Sequence, residues 1–264
     1  MLKGAIHIHS MYSDGEFTIP ELREIFLAAG CAFVGMTDHA EYFAESDLRA
    51  YIEECERLSD ARLRFIPGLE YECEKRMHIL GYGATHLAGS QDPQQIIRSI
   101  DEQGAISVIA HPRNDFFEWI EGFETLPKGI ETWNTKYDGR YAPRPGTFAL
   151  LQRLKRRRPD MQAFYGQDLH WKKQFRGMFV QVDSTSPGCD DILAALARGD
   201  YYGEKGEFQL PSSGIISEEL QKHFAKVNGK SARLYRFLKN GKSLLDRSGL
   251  KVPERLKAQL RRIF

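Results

Sequence analysis

Two short pairs of metal-binding side chains, far apart in the chain, constrain the fold more than any other feature. His7-Ile8-His9 closes an apolar run over residues 2–8, and Asp168-Leu169-His170 closes another over residues 161–165. In a strand, residues two apart share a face. Each pair is therefore expected to project side by side, and an imidazole pair at that separation can chelate one divalent ion. Asp14 follows in a Ser13-Asp14-Gly15 turn, close enough to add an oxygen ligand. Taken alone, His-x-His is as well explained by two half-buried histidines bonded to backbone. The recurrence of such residues changes that balance.

Asp38 and His39 end a second strand expected over residues 32–37. Glu70 ends a third, which begins at residue 63 and passes through Pro67-Gly68. His78 lies on a fourth over 77–82, and His111 ends a fifth over 105–110. Six of the eight histidines fall in this set. Histidines scattered through a core would not collect at strand ends.

Helix signals alternate with the strands. Thr18-Ile19-Pro20-Glu21 reads as a capping box with proline near the helix start. Ile19, Leu22, Ile25 and Phe26 then form an apolar face that Gly30 terminates. Further helices are expected after Ser46 as N-cap, over 93–103, over 145–158 and over 190–198. The link between the third and fourth strands is too short for a helical crossover, so a hairpin is expected there. A sixth strand is expected over 129–133, and another over 179–182. This order is that of a single α/β barrel. Its strand ends would open on one face and bring Asp168-x-His170 against His7-x-His9.

The chain of 264 residues carries a net charge of +1 that hides an asymmetry. Residues 215–264 hold 13 Lys and Arg against 4 acidic residues, leaving the first 214 at −8. A barrel over 1–214 and a basic, mostly helical extension over 215–264 are expected. In the extension, Arg233, Arg236, Lys239 and Lys242 recur beside Leu234, Phe237 and Leu238. An anionic partner, nucleic acid included, would suit that charge. No apolar run reaches transmembrane length, so no membrane partner is expected. Met1-Leu2-Lys3-Gly4 runs straight into a strand, so no leader is expected. Cys31, Cys55, Cys73 and Cys189 lack Cys-x-x-Cys spacing and read as reduced thiols of a cytoplasmic protein. Oligomeric state is left open.

The motifs His7-x-His9-Ser10 with Ser13-Asp14-Gly15, Thr37-Asp38-His39, Gly68-Leu69-Glu70 with His78-Ile79-Leu80-Gly81-Tyr82, Ala110-His111-Pro112, and Gly166-x-Asp168-x-His170 together resemble the polymerase and histidinol phosphatase (PHP) family. The resemblance runs from the first strand to His170 and leaves out the basic extension. It implies a distorted seven-stranded (β/α)7 TIM-like barrel and a trinuclear centre that hydrolyses phosphate esters with an activated hydroxide. It also implies two to three divalent ions, Mn, Zn or Fe. One would be held by His7, His9, Glu70 and Asp168, a second by Glu70, His78 and His111, and a third by Asp14, His39 and His170. Glu70 would bridge, Asp168 or His170 would protonate the leaving group, and Asp38 would orient a ligand.

Substrate selection is expected from loops at the same face. Lys136, Arg140 and Arg144 after the sixth strand are candidate phosphate clamps, as is Arg113 after His111-Pro112. Trp171, Lys172, Lys173 and Arg176 form a further candidate loop. The leading expectation is a phosphatase acting on a small phosphomonoester. The alternatives are a phosphodiesterase or exonuclease on short nucleic acids, and a non-catalytic binding module of the same fold.

Overall fold

The computed structural model describes residues 1–139 and 141–230. The chain divides into two compact units, Met1–Ile216 and Ser217–Phe264. In the second, residues 218–230 are helical. Arg140 lies outside the described residues, as do the basic positions Arg233 to Lys242 and the Leu234, Phe237 and Leu238 between them.

The first unit begins with β1 (Leu2–Ile8), α1 (Ile19–Ala28) and β2 (Phe33–Met36), followed by the two-residue β3 (Asp38–His39) and α2 (Glu45–Arg57). Next come β4 (Arg64–Ile66), β5 (Gly68–Glu72), β6 (His78–Tyr82), α3 (Pro93–Glu102), β7 (Ile106–Ala110) and α4 (Phe117–Glu121). The unit then runs through β8 (Gly129–Asn134), α5 (Pro145–Leu154), β9 (Gln162–Gly166), β10 (Met178–Val182), α6 (Cys189–Arg198), β11 (Tyr201–Lys205) and β12 (Phe208–Pro211).

The Thr18 box forms as expected: the Thr18 hydroxyl accepts from Glu21 N–H, and the Glu21 carboxylate accepts from Thr18 N–H at 2.8 Å. α2 starts earlier than expected, with Ala44 rather than Ser46 at its cap. Glu45 and Asp47 in its first turn favour the positive end of the helix dipole. α5 stops at Leu154, short of the expected 158.

The strands form two six-stranded sheets, β12-β11-β10-β1-β2-β4 and β3-β5-β6-β7-β8-β9. This corrects the expected closed seven-stranded ring. The chain passes between the sheets four times: through Thr37 between β2 and β3, back across α2 between β3 and β4, through Pro67 between β4 and β5, and back between β9 and β10. Proline offers no N–H to a ladder, so pairing breaks where it stands. Gly68 follows it because a Cβ there would meet the Gly81 carbonyl at 2.5 Å and that of Met36 at 2.8 Å. The chain leaving β9, the edge strand of the second sheet, joins the C-terminal end of β1 in the first, where Gln167 N–H donates to Ile6 O at 3.1 Å and His9 N–H to Leu169 O at 3.0 Å.

Not all strands run the same way. The expected hairpin joins β5 to an antiparallel β6, and β6 is antiparallel to β7 as well. His78 thus begins its strand, Glu70 lies midway along β5 and His111 just after β7, and the reversal of β6 brings all three together. Apolar side chains seal the interior beneath them, among them Ile6, Ile8, Leu69, Leu80, Val108 and Phe164, all fully buried. Among the described residues, no helix is long and apolar enough to cross a membrane.

Candidate metal centre

All nine expected ligands converge in one cluster. Glu70, about 1% exposed, lies at the centre and turns its two oxygens to different partners. Oε2 lies 3.2 Å from His7 Nε2 and 3.1 Å from His9 Nε2. Oε1 lies 2.9 Å from His78 Nδ1 and 3.2 Å from His111 Nε2. Asp168 Oδ1 is 3.9 Å from Nε2 of both His7 and His9, and 3.1 Å from His170 Nδ1. Asp14 Oδ1 is 3.1 Å from His170 Nε2 and 3.7 Å from His39 Nε2.

Among the described residues, four groups have ligand atoms close enough together to hold an ion: His9, Asp14, His39 and His170; His7, His9 and Asp168; His7, Glu70 and His111; His39, Glu70 and His78. Compared with the expected sharing, His9 also leans toward the Asp14 group, and His78 and His111, both beside Glu70 Oε1, fall into separate groups that each include Glu70.

The pairing of His7 with His9 has a different origin from simple strand alternation. The β1–β2 register shifts between Ile6 and Ile8, and His7 sits in that bulge with φ of 63°. His111 (φ 28°) and Asp168 (φ 53°) are also left-handed. Such backbone costs a non-glycine residue about 1–3 kcal/mol, and it persists only where surrounding contacts enforce it.

The donor set fits divalent metal. Both ring nitrogens of His9, and Nδ1 of His39 and of His78, are buried without a well-directed hydrogen bond, although carboxylate oxygens lie nearby. Buried polar atoms rarely stay unpartnered, and a cation would supply the missing partner. Mixed imidazole and carboxylate donors suit Mn, Fe or Zn.

The electrostatics point the same way. Burial alone would raise the Glu70 carboxyl, but His7, His78 and His111 hold it well below its usual range. Asp168 is likewise held well below, because His7, His170 and Lys136 outweigh its burial. Burial pushes His9 down to about 3, assisted by His170 and His7. Burial also acts to lower His170, but its bonds to Asp14 and Asp168 prevail and raise it to about 9.

Two residues missed in the sequence complete the centre. Glu131, fully buried on β8, accepts from His7 Nδ1 at 2.7 Å and from His111 N–H at 2.9 Å. Asn134 donates its amide to Glu131 Oε2 at 2.9 Å and to Asp168 Oδ2 at 3.0 Å. Their signal was a charge and an amide inside the buried run Gly129–Asn134. Asp38 organises the turn that carries Asp14: it accepts from Ser10 N–H at 2.8 Å and from the hydroxyls of Ser10 at 2.9 Å and Ser13 at 2.6 Å.

A cavity of about 270 Å³ opens over the centre, with Glu41, Tyr42, Glu72, Lys136 and Tyr137 at its walls. Of the expected clamps, Lys136 is in place, its Nζ 2.9 Å from Asp168 Oδ1. Arg113 does not line this cavity and is paired with Asp115 at 2.5 Å. Arg144 does not line it either; it holds Asp138 at 2.9 Å and the carbonyls of Pro112 and Tyr137. Glu41 and Glu72 also border a neighbouring cavity of about 470 Å³ beside Phe43, Tyr71 and Leu87. Trp171, Lys172 and Lys173 line a separate hollow of about 370 Å³ with Glu16. Arg176 donates instead to the Thr135 carbonyl.

The family model for the PHP domain matches residues 5–184. A 41-residue stretch is 42% identical to the DNA polymerase/3′-5′ exonuclease PolX of Bacillus subtilis, covering 16% of this chain and only 7% of that protein's length. A two-domain protein from Bacteroides vulgatus, described as containing a predicted PHP-like metal-dependent phosphoesterase, superposes with a TM-score of 0.57 at 17% identity. That match covers 85% of this chain and 69% of the other. PsfC from Pseudomonas syringae superposes with a TM-score of 0.53 at 12% identity, over 88% of this chain and 98% of PsfC. At such identities the two structures report likeness of fold.

Proposed function

The chain belongs to the PHP domain family, and on that premise we propose that it hydrolyses the phosphate ester of a small molecule at a centre of two to three divalent metal ions. The observation that carries this reading is the bridging position of Glu70, one oxygen toward His7 and His9 and the other toward His78 and His111. His7, His9, Glu70 and Asp168 would hold one ion, Glu70 with His78 and His111 a second, and Asp14, His39 and His170 a third. When bound, such cations supply a water of lowered pKa and positive charge for the phosphate oxygens.

The chain's own groups do the rest. Lys136 presents its ammonium to the phosphoryl group from the Asp168 side and offsets negative charge that builds in the transition state. Asp168, kept ionised by its neighbours, is poorly suited to donate a proton. His170 can donate one only while it is not a ligand. Tyr137, its ring 4.4 Å from that of His111, covers the centre on the loop side and limits water.

Glu41 and Glu72 at the cavity wall favour a small substrate over a polyanion, because a second phosphate beside two carboxylates is repelled. The nuclease alternative draws on Trp171, Lys172 and Lys173, an aromatic and two cations in a hollow of their own. The test is turnover of p-nitrophenyl phosphate against bis(p-nitrophenyl) phosphate and a short oligonucleotide, after reconstitution with Mn²⁺ or Zn²⁺. Preference for the monoester supports the reading. Preference for the diester or oligonucleotide replaces it, and inactivity toward all three with metal bound favours a binding module.

A further inference from the structure

The three left-handed ligands, His7, His111 and Asp168, lie on separate segments, and nothing in the local sequence of any of them requires that backbone. They have one thing in common. Each is hydrogen-bonded to Glu131 or Asn134, three residues apart on β8. Residues at that spacing in a regular strand face opposite sides. Here the β8–β9 register shifts between Glu131 and Trp133, and the bulge lets both side chains meet.

The bonds are complementary in a way that only this pair of groups satisfies. Glu131 Oε1 accepts from His7 Nδ1, which fixes the tautomer and leaves Nε2 to face Glu70. Glu131 Oε2 accepts from the backbone of His111 and from the Asn134 amide. The carboxylate thus receives three donors and offers none. The Asn134 amide also donates to Asp168, and its Oδ1 accepts from the N–H groups of Lys136 at 3.0 Å and Tyr137 at 3.1 Å. One side chain therefore links a ligand to the loop that lines the cavity. Gly166 completes the fit, since a Cβ there would meet Glu131 Oε1 at 1.8 Å.

We infer that Glu131 and Asn134 act as one positioning hub, which holds His7, His111 and Asp168 in their strained ligating conformations and couples the metal centre to the loop carrying Lys136 and Tyr137. The inference rests on the metal-centre reading above but not on the reaction, because its primary readout is metal affinity. A wild-type protein that binds metal and hydrolyses nothing would defeat the proposed function and leave the hub open to test. A wild-type protein that binds no metal would overturn both.

The experiment titrates full-length wild type, Glu131→Gln, Asn134→Ala, Gly166→Ala and the Glu131→Gln/Gly166→Ala double variant with Mn²⁺ by calorimetry. The visible spectrum of the Co²⁺ form reports ligand geometry, and circular dichroism reports folding. Glutamine turns an amide donor toward groups that are themselves donors, so Glu131→Gln is expected to weaken metal binding about 10–100-fold and alter the Co²⁺ spectrum. Gly166→Ala removes no member of the network yet displaces Glu131, and is expected to do the same. Because both act through one displacement, the double variant should be no worse than the weaker-binding single. Asn134→Ala should weaken metal binding and, if the enzyme turns over, raise KM as well, whereas Glu131→Gln should chiefly lower kcat. Wild-type affinity and Co²⁺ spectrum in folded Glu131→Gln overturn the hub, as does full additivity in the double variant. Should Glu131→Gln not fold, Asn134→Ala carries the test, and unchanged metal affinity there overturns the inference.

Discussion

The ammonium of Lys136 lies 2.9 Å from Asp168 Oδ1 and 3.3 Å from both ring nitrogens of His170, so a cation from the loop after β8 stands inside the ligand set. Burial would lower its pKa, but Asp168 more than offsets this and keeps it charged. Lys136→Met removes that charge with little change of volume. Phosphatase kcat/KM should fall by about 10²-fold, the scale of one lost transition-state donor, while the number of bound metal ions stays the same. Wild-type turnover by the variant would take Lys136 out of the site.

Glu70 supplies one oxygen to each half of the cluster, so its loss should reduce metal content as well as rate. In Glu70→Gln, elemental analysis after reconstitution should show at least one ion fewer than wild type, which should itself carry two to three. Hydrolysis should drop by on the order of 10³-fold or more. A wild type that never exceeds one ion per chain would refute the multinuclear assignment.

Metal loading should release protons. In the metal-free protein Asp14 and Asp168 raise His170 to about 9, so its ring is protonated at neutral pH. A ligand histidine must give up that proton, and binding should therefore weaken as pH falls below about 9. Calorimetry of metal binding in two buffers of different ionisation enthalpy should reveal release of about one proton or more near neutrality. Equal heats in the two buffers would contradict this.

Asp138 predicts a stability slope. Burial pushes its carboxyl up to about 7, against the opposing pull of Arg144. The folded form therefore binds this proton more tightly than the unfolded chain does, whose carboxyl titrates near its ordinary value of 3.8. The stability it contributes is greatest below that value and is lost as pH rises toward about 7. Urea midpoints measured across this window should decline more steeply with pH in wild type than in Asp138→Asn. Parallel profiles would show that Asp138 ionises freely in the folded state.

The residues of the cluster were legible because metal binding needs particular atoms, and His7, His9, Glu70, His78, His111 and Asp168 are candidates by residue type. The Thr18 cap and the β5–β6 hairpin were legible because both are short-range. What escaped were relationships across long stretches of chain. Glu131 meets His7 from 124 residues away, and its role depends on bulges in two strands that no periodicity signals. Two of the passages between the sheets run through Thr37, which in sequence reads as the end of a strand, and Pro67, which reads as lying within one. Lys136, Arg113 and Arg144 look alike as clamps; only the folded chain shows that Asp115 and Asp138 engage the two arginines. The candidate N-cap at Ser46 lost to Ala44 because two acidic side chains in the first turn offset the missing cap.

The left-handed backbone of His7, His111 and Asp168 sets stability and chemistry against each other. Glycine at any of the three would adopt the same φ without the steric cost of a Cβ. Such a chain would lose a ligand and relieve local strain in one step. Selection for heat resistance alone, applied to this protein without a demand for turnover, would therefore tend to dismantle the proposed metal centre first. Any programme to stabilise it should keep these three positions fixed and seek its gains in the helices and in the sheet edge formed by β10, β11 and β12.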